Sequence, residues 1–390
     1  MVLHAKTAYA KSVTLLSRLS TKSGFLASLV TESNYPRVWA RDGVIAGIAS
    51  LMTGNPELIA TFLRTLQTLK EGQDHTGRIP SNIDHIQGGI SYGSTVGRID
   101  ATLWYVVGVT QYILRTGEAE QLIFFEESLK KALFYLECLE LNGRGFVYIP
   151  PGGDWADEYV NAGYVLYDEV LYYLALKGAG SVFEDKKLQE KAEYLKNMIQ
   201  VNFLPKEENQ GSEFIFHKRM FEMTLEAKVP YPLSFISNVG VGTHFDTFGI
   251  SLSIISGLLS DSEIESVANT LEQYATSANK ILPAFIPVIE KGTCEWDDLV
   301  KNHLYEFRNV PHEYHNGGRW PLVHGWFLGA VPFAFGGAET MAEVFDAEGY
   351  TFPEFYHGQS GVPRGVTQLG FSASAFIIAH QKEQGIEVFV

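Results

Sequence analysis

The segment Tyr164-Val-Leu-Tyr-Asp-Glu-Val-Leu-Tyr-Tyr-Leu-Ala-Leu-Lys-Gly178, followed after six intervening residues by Asp185-Lys-Lys-Leu-Gln-Glu-Lys-Ala-Glu-Tyr-Leu-Lys-Asn-Met-Ile-Gln-Val201, decides the fold. The first run is apolar on nearly every side. The second is amphipathic and charged, with its apolar residues at Leu188, Ala192, Leu195 and Ile199. A helix that is apolar all round lies inside a protein, and one with a single apolar stripe lies against it from outside. The same contrast recurs along the chain. Helical spacing predicts twelve helices, near 7–19, 41–53, 56–70, 100–116, 119–140, 164–178, 185–201, 246–258, 261–277, 319–334, 337–347 and 366–381. Several are punctuated by Gly or Pro, as at Thr53-Gly54-Asn55-Pro56 and Thr116-Gly117. Helices 41–53, 100–116, 164–178, 246–258, 319–334 and 366–381 are the apolar, Gly/Ala-rich ones. Six of these inside a ring of amphipathic partners make an all-α (α/α)6 barrel. The periods alone also allow a plain bundle or an α-solenoid, and the lack of a fixed repeat argues against the solenoid. No Pro/Ser-rich linker divides the chain, so one domain over residues 1–390 is expected. Long connections at 71–99, 142–163, 203–245 and 280–318 would gather at one mouth of such a barrel, where the chemistry is to be sought.

Composition narrows the ligand. The 390 residues hold 46% hydrophobic and 19% charged residues, enough for a large core and far from a disordered chain. Lys and Arg total 30 against 45 Asp and Glu, a net charge of −15. Such a surface repels DNA, RNA and anionic lipid, so no nucleic acid and no membrane is expected as a partner. A small neutral saccharide fits better. Cys138 and Cys294 form no CxxC pair or disulfide framework, which points to a reducing compartment. Met1 to Ser20 scatters His4, Lys6, Lys11 and Arg18 without the basic-then-apolar order of a signal peptide. The charge-free stretch from Trp320 to Ala338 contains Pro321, Pro332, His324 and four glycines, so it reads as a buried helix rather than a membrane span. A cytoplasmic protein is expected, and self-association into a homo-oligomer is left open.

Four segments carry the candidate chemistry. Tyr35-Pro-Arg-Val-Trp39-Ala-Arg41-Asp42-Gly43 opens an apolar helix. Asp42 could simply cap that helix, but Arg41 and Asp42 side by side can also grip vicinal sugar hydroxyls, with Trp39 and Tyr35 offering a ring to stack on. Gly97-Arg98-Ile99-Asp100-Ala-Thr-Leu-Trp104 again sets a carboxylate at a helix start, as cap or as ligand. Gly152-Gly153-Asp154-Trp155-Ala156-Asp157-Glu158-Tyr159 packs three carboxylates into a Gly/Pro-rich loop. Crowded like charges beside an indole favour a protonated carboxyl near neutrality, as a general acid requires. A solvated acidic turn is the alternative. Phe352-Pro-Glu354-Phe-Tyr356-His357 sets one carboxylate among aromatics before the last helix.

At these motifs the chain resembles the clan of inverting (α/α)6-barrel glucosidases, and most of all the neutral/alkaline invertases of glycoside hydrolase family 100. Asn309-Val-Pro311-His-Glu-Tyr314-His315-Asn316-Gly-Gly-Arg319-Trp320-Pro321 is similar to that family's NxPxxYHNGGxWP segment, and Phe352-Pro-Glu354-Phe-Tyr356 to the WPEYY around its base. Gly163 to Leu176 fits the helix after its acid-bearing loop, and Trp39-Ala-Arg41-Asp42 resembles the xRD element that holds glucose hydroxyls in these barrels. The acid loop departs. It reads Trp155-Ala-Asp157-Glu158 where the invertases have IDRR, nearer the WEE of glucoamylases and the GWD of family 63 enzymes. Asp100-Ala-Thr-Leu-Trp104 is similar to the DAxLW of bacterial glycogen-debranching glucosidase domains. The resemblance implies Asp157 as general acid, with Asp154 as second candidate, and Glu354 as general base. It implies Arg41, Asp42 and Asp100 on the nonreducing glucose, Trp39, Tyr314, Trp320 and Tyr356 around it, and His315 and Asn316 at the rim. Tyr35, Trp104 and Trp155, which flank these carboxylates in sequence, complete the expected saccharide-binding set.

Rival motifs are weaker. His312-Glu-Tyr-His315 lacks the i,i+4 spacing of a helical zinc site, so no metal and no cofactor is expected. No phosphate loop and no Gly-x-Ser-x-Gly elbow occurs. The expected activity is inverting hydrolysis of a small α-glucoside, sucrose first. An exo-acting α-glucosidase of the debranching, trehalase-like or glucosylglycerate-hydrolase kind is the alternative. A sugar 2-epimerase would need paired histidines where carboxylates stand, and a non-catalytic sugar-binding barrel would not need both Asp157 and Glu354.

Overall fold

Helix ends follow local chemistry. The computed structural model describes residues 3–31, 34–275, 280–303 and 305–390. Its helices are α1 (Leu3–Leu19), α2 (Ala40–Thr53), α3 (Pro56–Glu71), α4 (Ile99–Thr116), α5 (Ala119–Cys138), α6 (Leu166–Val182), α7 (Lys186–Phe203), α8 (Lys218–Glu226), α9 (Thr247–Ile255), α10 (Asp261–Ala275), α11 (Cys294–Lys301), α12 (Pro321–Ala330), α13 (Gly337–Ala347) and α14 (Gly370–Glu383). Gly54 ends α2 in the left-handed region at φ 67°, and Asn55 then accepts from the N–H groups of Glu57 and Leu58 to start α3, with Pro56 at its first position. Asp185 caps α7 through Lys187 and Leu188 in the same way.

Burial separates the helices into two sets. Helix α6 buries fourteen of its seventeen residues and α4 fifteen of eighteen, whereas α5 buries five of twenty and α10 three of fifteen. The heavily buried helices pack in order, α2 on α4, α4 on α6, α6 on α9, α9 on α12 and α12 on α14, and α14 returns to α2. Helices α3, α5, α7 and α13 lie against them from outside, and α1 packs on α13 and α14. One apolar cluster runs from Ala5 to Val388.

Small residues set how closely the inner helices approach. A Cβ on Gly178 of α6 would lie 2.4 Å from Thr110 Oγ1 of α4, and one on Gly325 of α12 would lie 2.3 Å from the Ala375 carbonyl oxygen of α14. The second contact is backbone, which cannot turn aside. Gly325→Ala therefore gains about 1 kcal/mol of helix propensity but forces two packed helices apart, at about 1–3 kcal/mol. A net loss in the urea midpoint at unchanged slope is expected; a gain would mean that the contact is slack.

The inner helices meet at their N-terminal ends. Arg41 of α2 reaches Asp100 of α4, Tyr167 of α6 reaches the same carboxylate, and Trp320 before α12 lies on Phe371 of α14. Two-residue strands clip the connections here, pairing 38–39 with 82–83, 164–165 with 235–236, 245–246 with 285–286, and 355–356 with 363–364. The positive ends of several helix dipoles converge on this region, which suits the carboxylates Asp42, Asp100 and Asp168 in first turns.

Three expectations change. Helices α8 and α11 lie inside stretches expected as connections; each is short, and α11 buries only Leu299, too little for a periodic signal. The helix expected over 366–381 starts at Gly370, because 366–369 is tied to 351–354 by bonds from Glu354 N–H to Val366 O and from Leu369 N–H to Phe352 O, and Gln368 is bent to φ 54°. The helix expected over 319–334 ends at Ala330, before Phe333 and Phe335 at φ 68° and 53°. The last residues of the expected 261–277 helix, 276 and 277, lie outside the described residues. Among the described residues no helix is long and apolar enough to cross a membrane.

Candidate active site

A cleft of about 670 Å³ opens at the end where the inner helices start, and Tyr35, Trp39, Arg98, Asp157, Arg308 and Tyr314 line it. Two carboxyl groups stand at it in different ways. Asp157 lines the cleft, and its Oδ2 pairs with Arg98 Nη2 at 3.0 Å. Glu354 sits just behind the wall. Its Oε1 accepts from the Tyr35 hydroxyl at 2.6 Å and its Oε2 from the Val366 N–H at 3.1 Å. Gly365, at φ 70°, makes this seat, since a Cβ there would lie 2.2 Å from Glu354 Oε2. Burial pushes the Glu354 carboxyl up, opposed by the bonds from Tyr35 and Val366 and by Arg308, and reinforced by Asp157. The two carboxyl groups therefore act within one electrostatic field.

The loop of residues 152–159 divides its carboxylates by burial. Asp154 is buried, accepts from Ala156 N–H and from Asn161 Nδ2 at 3.0 Å each, and is pushed up to about 7, chiefly by burial. It does not line the cleft. Glu158 also lines the cleft, where Arg308 approaches its Oε2 at 3.5 Å while lying 3.9 Å over the Tyr314 ring.

The expected glucose grip is arranged differently from the side-by-side pair that adjacency suggested. Arg41 is committed to Asp100 at 2.8 Å, and Tyr167 donates to the same oxygen at 3.3 Å. Asp42 is buried and pushed up to about 6 by that burial, with Arg41 opposing. Trp39 lines the cleft, its ring 6.0 Å from that of Tyr35.

Behind the cleft stands an aromatic wall. Trp155 stacks on Phe285 at 5.6 Å and meets Trp320 edge-on at 5.9 Å. Trp320 stacks on His315 and Phe355 and donates through Nε1 to Tyr314 O at 2.9 Å. His315 is fully buried, its imidazole held neutral well below the usual range by burial, and its nitrogens have no partner among the described residues.

Of the expected residues, Tyr35, Trp39, Asp157 and Tyr314 line the cleft, and three of those that do not are committed to partners in the core. Trp104 is fully buried and donates to Tyr167 at 2.6 Å, because it stands a full turn deeper in α4 than Asp100. Asn316 is a staple, accepting from Ile289 N–H and donating to the carbonyls of Ile289 and Asn309. Tyr356 turns away and donates to Glu348 at 3.1 Å. Sequence reasoning passed over Arg98, which stands inside a quoted motif, and Arg308, one residue before another, and over Asp168 and Asp246, buried carboxyls at the starts of apolar helices. Among the described residues no group of three or more His, Cys, Asp or Glu side chains is placed to hold a metal ion.

No family model matches the chain. It is similar to a protein of Arabidopsis thaliana named "Probable alkaline/neutral invertase F", at 24% identity over 84% of this chain and 76% of that one. Alkaline/neutral invertase CINV1 of the same plant is also 24% identical, over 84% of this chain and 69% of the relative. In fold the chain is similar to the GH63 mannosylglycerate hydrolase from Thermus thermophilus solved with Tris, with a TM-score of 0.64 and 12% identity over 95% of this chain and 99% of that one. A glycosidase variant solved with glucose aligns with a TM-score of 0.65 and 10% identity, over 98% and 97% of the two chains.

Proposed function

We propose that this chain, a relative of the alkaline/neutral invertases with the fold of solved glycosidases, is an inverting glycoside hydrolase acting on a small α-glucoside, with sucrose the first substrate. The helices are read as an (α/α)6 barrel in a single domain, a reading supported by the return of α14 to α2 and by one continuous apolar cluster. The observation that carries the function is a cleft flanked by two carboxyl groups of unlike setting. Asp157 is on the wall beside an arginine, and Glu354 is buried behind Tyr35. Asp157 protonates the glycosidic oxygen, and Glu354 removes a proton from the water that attacks C1 from the opposite face. The cation-like transition state is stabilised by the surrounding carboxylates, Asp42 among them. Cytoplasmic residence fits the two cysteines, Cys138 and Cys294, which are free and exposed.

A second reading, an exo-acting α-glucosidase of the debranching, trehalase-like or glucosylglycerate-hydrolase kind, is favoured by the acid loop, whose Trp155-Ala-Asp157-Glu158 differs from the invertase pattern. One experiment separates them. The protein is incubated with sucrose, trehalose, maltose, isomaltose and glucosylglycerate, and the released sugar is followed by NMR. Release from sucrose with β-glucose formed first is expected. Turnover of another member selects the second reading, a first-formed α anomer refutes inversion, and no release from any α-glucoside refutes the hydrolase.

A further inference from the structure

The carboxyl group assigned as the acid is held by an arginine that is itself held by the acid's own loop. Arg98 Nη2 lies 3.0 Å from Asp157 Oδ2, and Nη1 of the same guanidinium donates to the Gly152 carbonyl. The base of the side chain is tied as well. Arg98 immediately precedes α4, its N–H bonds to Tyr92 O at 2.9 Å, and the N–H of Ile99 bonds to Gly153 O at 2.8 Å. Gly152 permits this closeness. Its φ is 76°, and a Cβ there would lie 2.9 Å from the Asp157 carbonyl oxygen and 3.9 Å from Arg98 Nη1. The side chains of Arg98 and Asp157 are 14% and 27% exposed, so the pair is shielded enough for its charge to matter and open enough for both to line the cleft.

The acid step shows what this arginine meets. The O–H bond of Asp157 breaks as the glycosidic oxygen takes the proton. The C1–O bond breaks, its electron pair staying on the departing oxygen, while water bonds to C1 and gives a proton to Glu354. Asp157 ends the step as a carboxylate and Glu354 as a neutral acid; solvent returns the one proton between turnovers. Negative charge thus grows on Asp157 in the transition state, 3.0 Å from a fixed guanidinium. Counted from the protonated acid, a fixed charge aimed at developing charge lowers the barrier without reorganisation.

We infer that Arg98 is a positioning residue for the acid step, holding Asp157 toward the leaving group and receiving the charge left when its proton departs. This rests on the reading of Asp157 as the acid. Arginine suits the task because its planar fork reaches the Gly152 carbonyl and the carboxylate together, whereas a lysine is a single point of charge.

The test uses leaving groups. α-Glucosyl fluoride departs without being protonated, whereas sucrose, or the α-glucoside that the substrate panel finds, requires the acid. Arg98→Met should lower kcat on the glycoside on the order of 10²-fold while fluoride turnover stays within a few-fold, and Arg98→Lys should restore part of the loss. Arg98→Gln, which can still donate to Gly152, replaces Arg98→Met if that variant does not fold. Equal losses on both substrates, or no loss on either, overturn the proposal. Asp157→Asn run in parallel separates the two claims. If it spares glycoside turnover, the acid reading falls; if it shows the selective loss and the Arg98 variants do not, the acid reading stands and the role of Arg98 falls.

Discussion

Glu354→Gln should leave saccharide affinity close to wild type and lower kcat by roughly 10²–10⁴-fold, the usual worth of a positioned general base. The substitution is gentle on the fold for a reason visible in its two partners. Glu354 accepts one hydrogen bond from the Tyr35 hydroxyl and one from the Val366 N–H. A glutamine has one acceptor oxygen, which can stay on Val366, while its amide donates to the Tyr35 oxygen after the hydroxyl rotates. Geometry survives, and only the capacity to take a proton from water is lost. An interaction made only in the transition state lowers kcat and kcat/KM together and leaves ground-state binding alone. Calorimetry with the disaccharide and initial rates measure the two sides. Turnover within a few-fold of wild type would make Glu354 a structural acid and remove the proposed mechanism.

What the sequence disclosed, and what it hid, divides along physical lines. The contrast between the runs at 164–178 and 185–201 survives folding as the contrast between α6, buried on nearly every side, and α7, buried on one stripe. Helical period is set by the backbone and by burial together, so it could be read directly. Tyr35 and Glu354 are 319 residues apart, and Arg98 and Asp157 are 59 apart. Nothing in a single chain marks such pairs, because each is made by the closing of the helices. Adjacency misled in the other direction. Arg41 and Asp42 are neighbours in sequence, but successive residues of a helix point about 100° apart, and Arg41 finds Asp100 instead. Phe355 and Tyr356 are neighbours in an extended segment, so one faces Trp320 and the other reaches Glu348. Asp168 and Asp246 were hidden by their place: an Asp at the start of an apolar helix reads as a cap, and Asp246 does cap α9.

Asp246→Asn should make the protein progressively more stable than wild type as pH rises. Asp246 is fully buried; its Oδ1 accepts from the N–H groups of Phe248 and Gly249, and its Oδ2 has no partner among the described residues. Burial drives its carboxyl from 3.8 to about 7, with nearby Asp154 adding to the rise and the two N–H groups opposing it. The folded chain thus keeps this proton up to about pH 7, whereas the unfolded chain releases it near 3.8. Its contribution to stability is complete below that lower value and is lost as pH climbs through the higher one. A rise of this size corresponds to about 4 kcal/mol, an upper figure for a site that water can reach on relaxation. Asparagine keeps the cap through Oδ1 and cannot ionise, so it escapes the loss. It also relieves Asp154, itself pushed up to about 7 and three residues from Asp157, of one neighbouring charge. Urea unfolding at pH 4.5, 6 and 8 should show the variant's advantage growing by about 3 kcal/mol across that range, since the first part of the loss precedes pH 4.5. Parallel stability curves would mean that Asp246 already ionises in the folded protein, and that the acids beneath the cleft stand in water rather than in the apolar core.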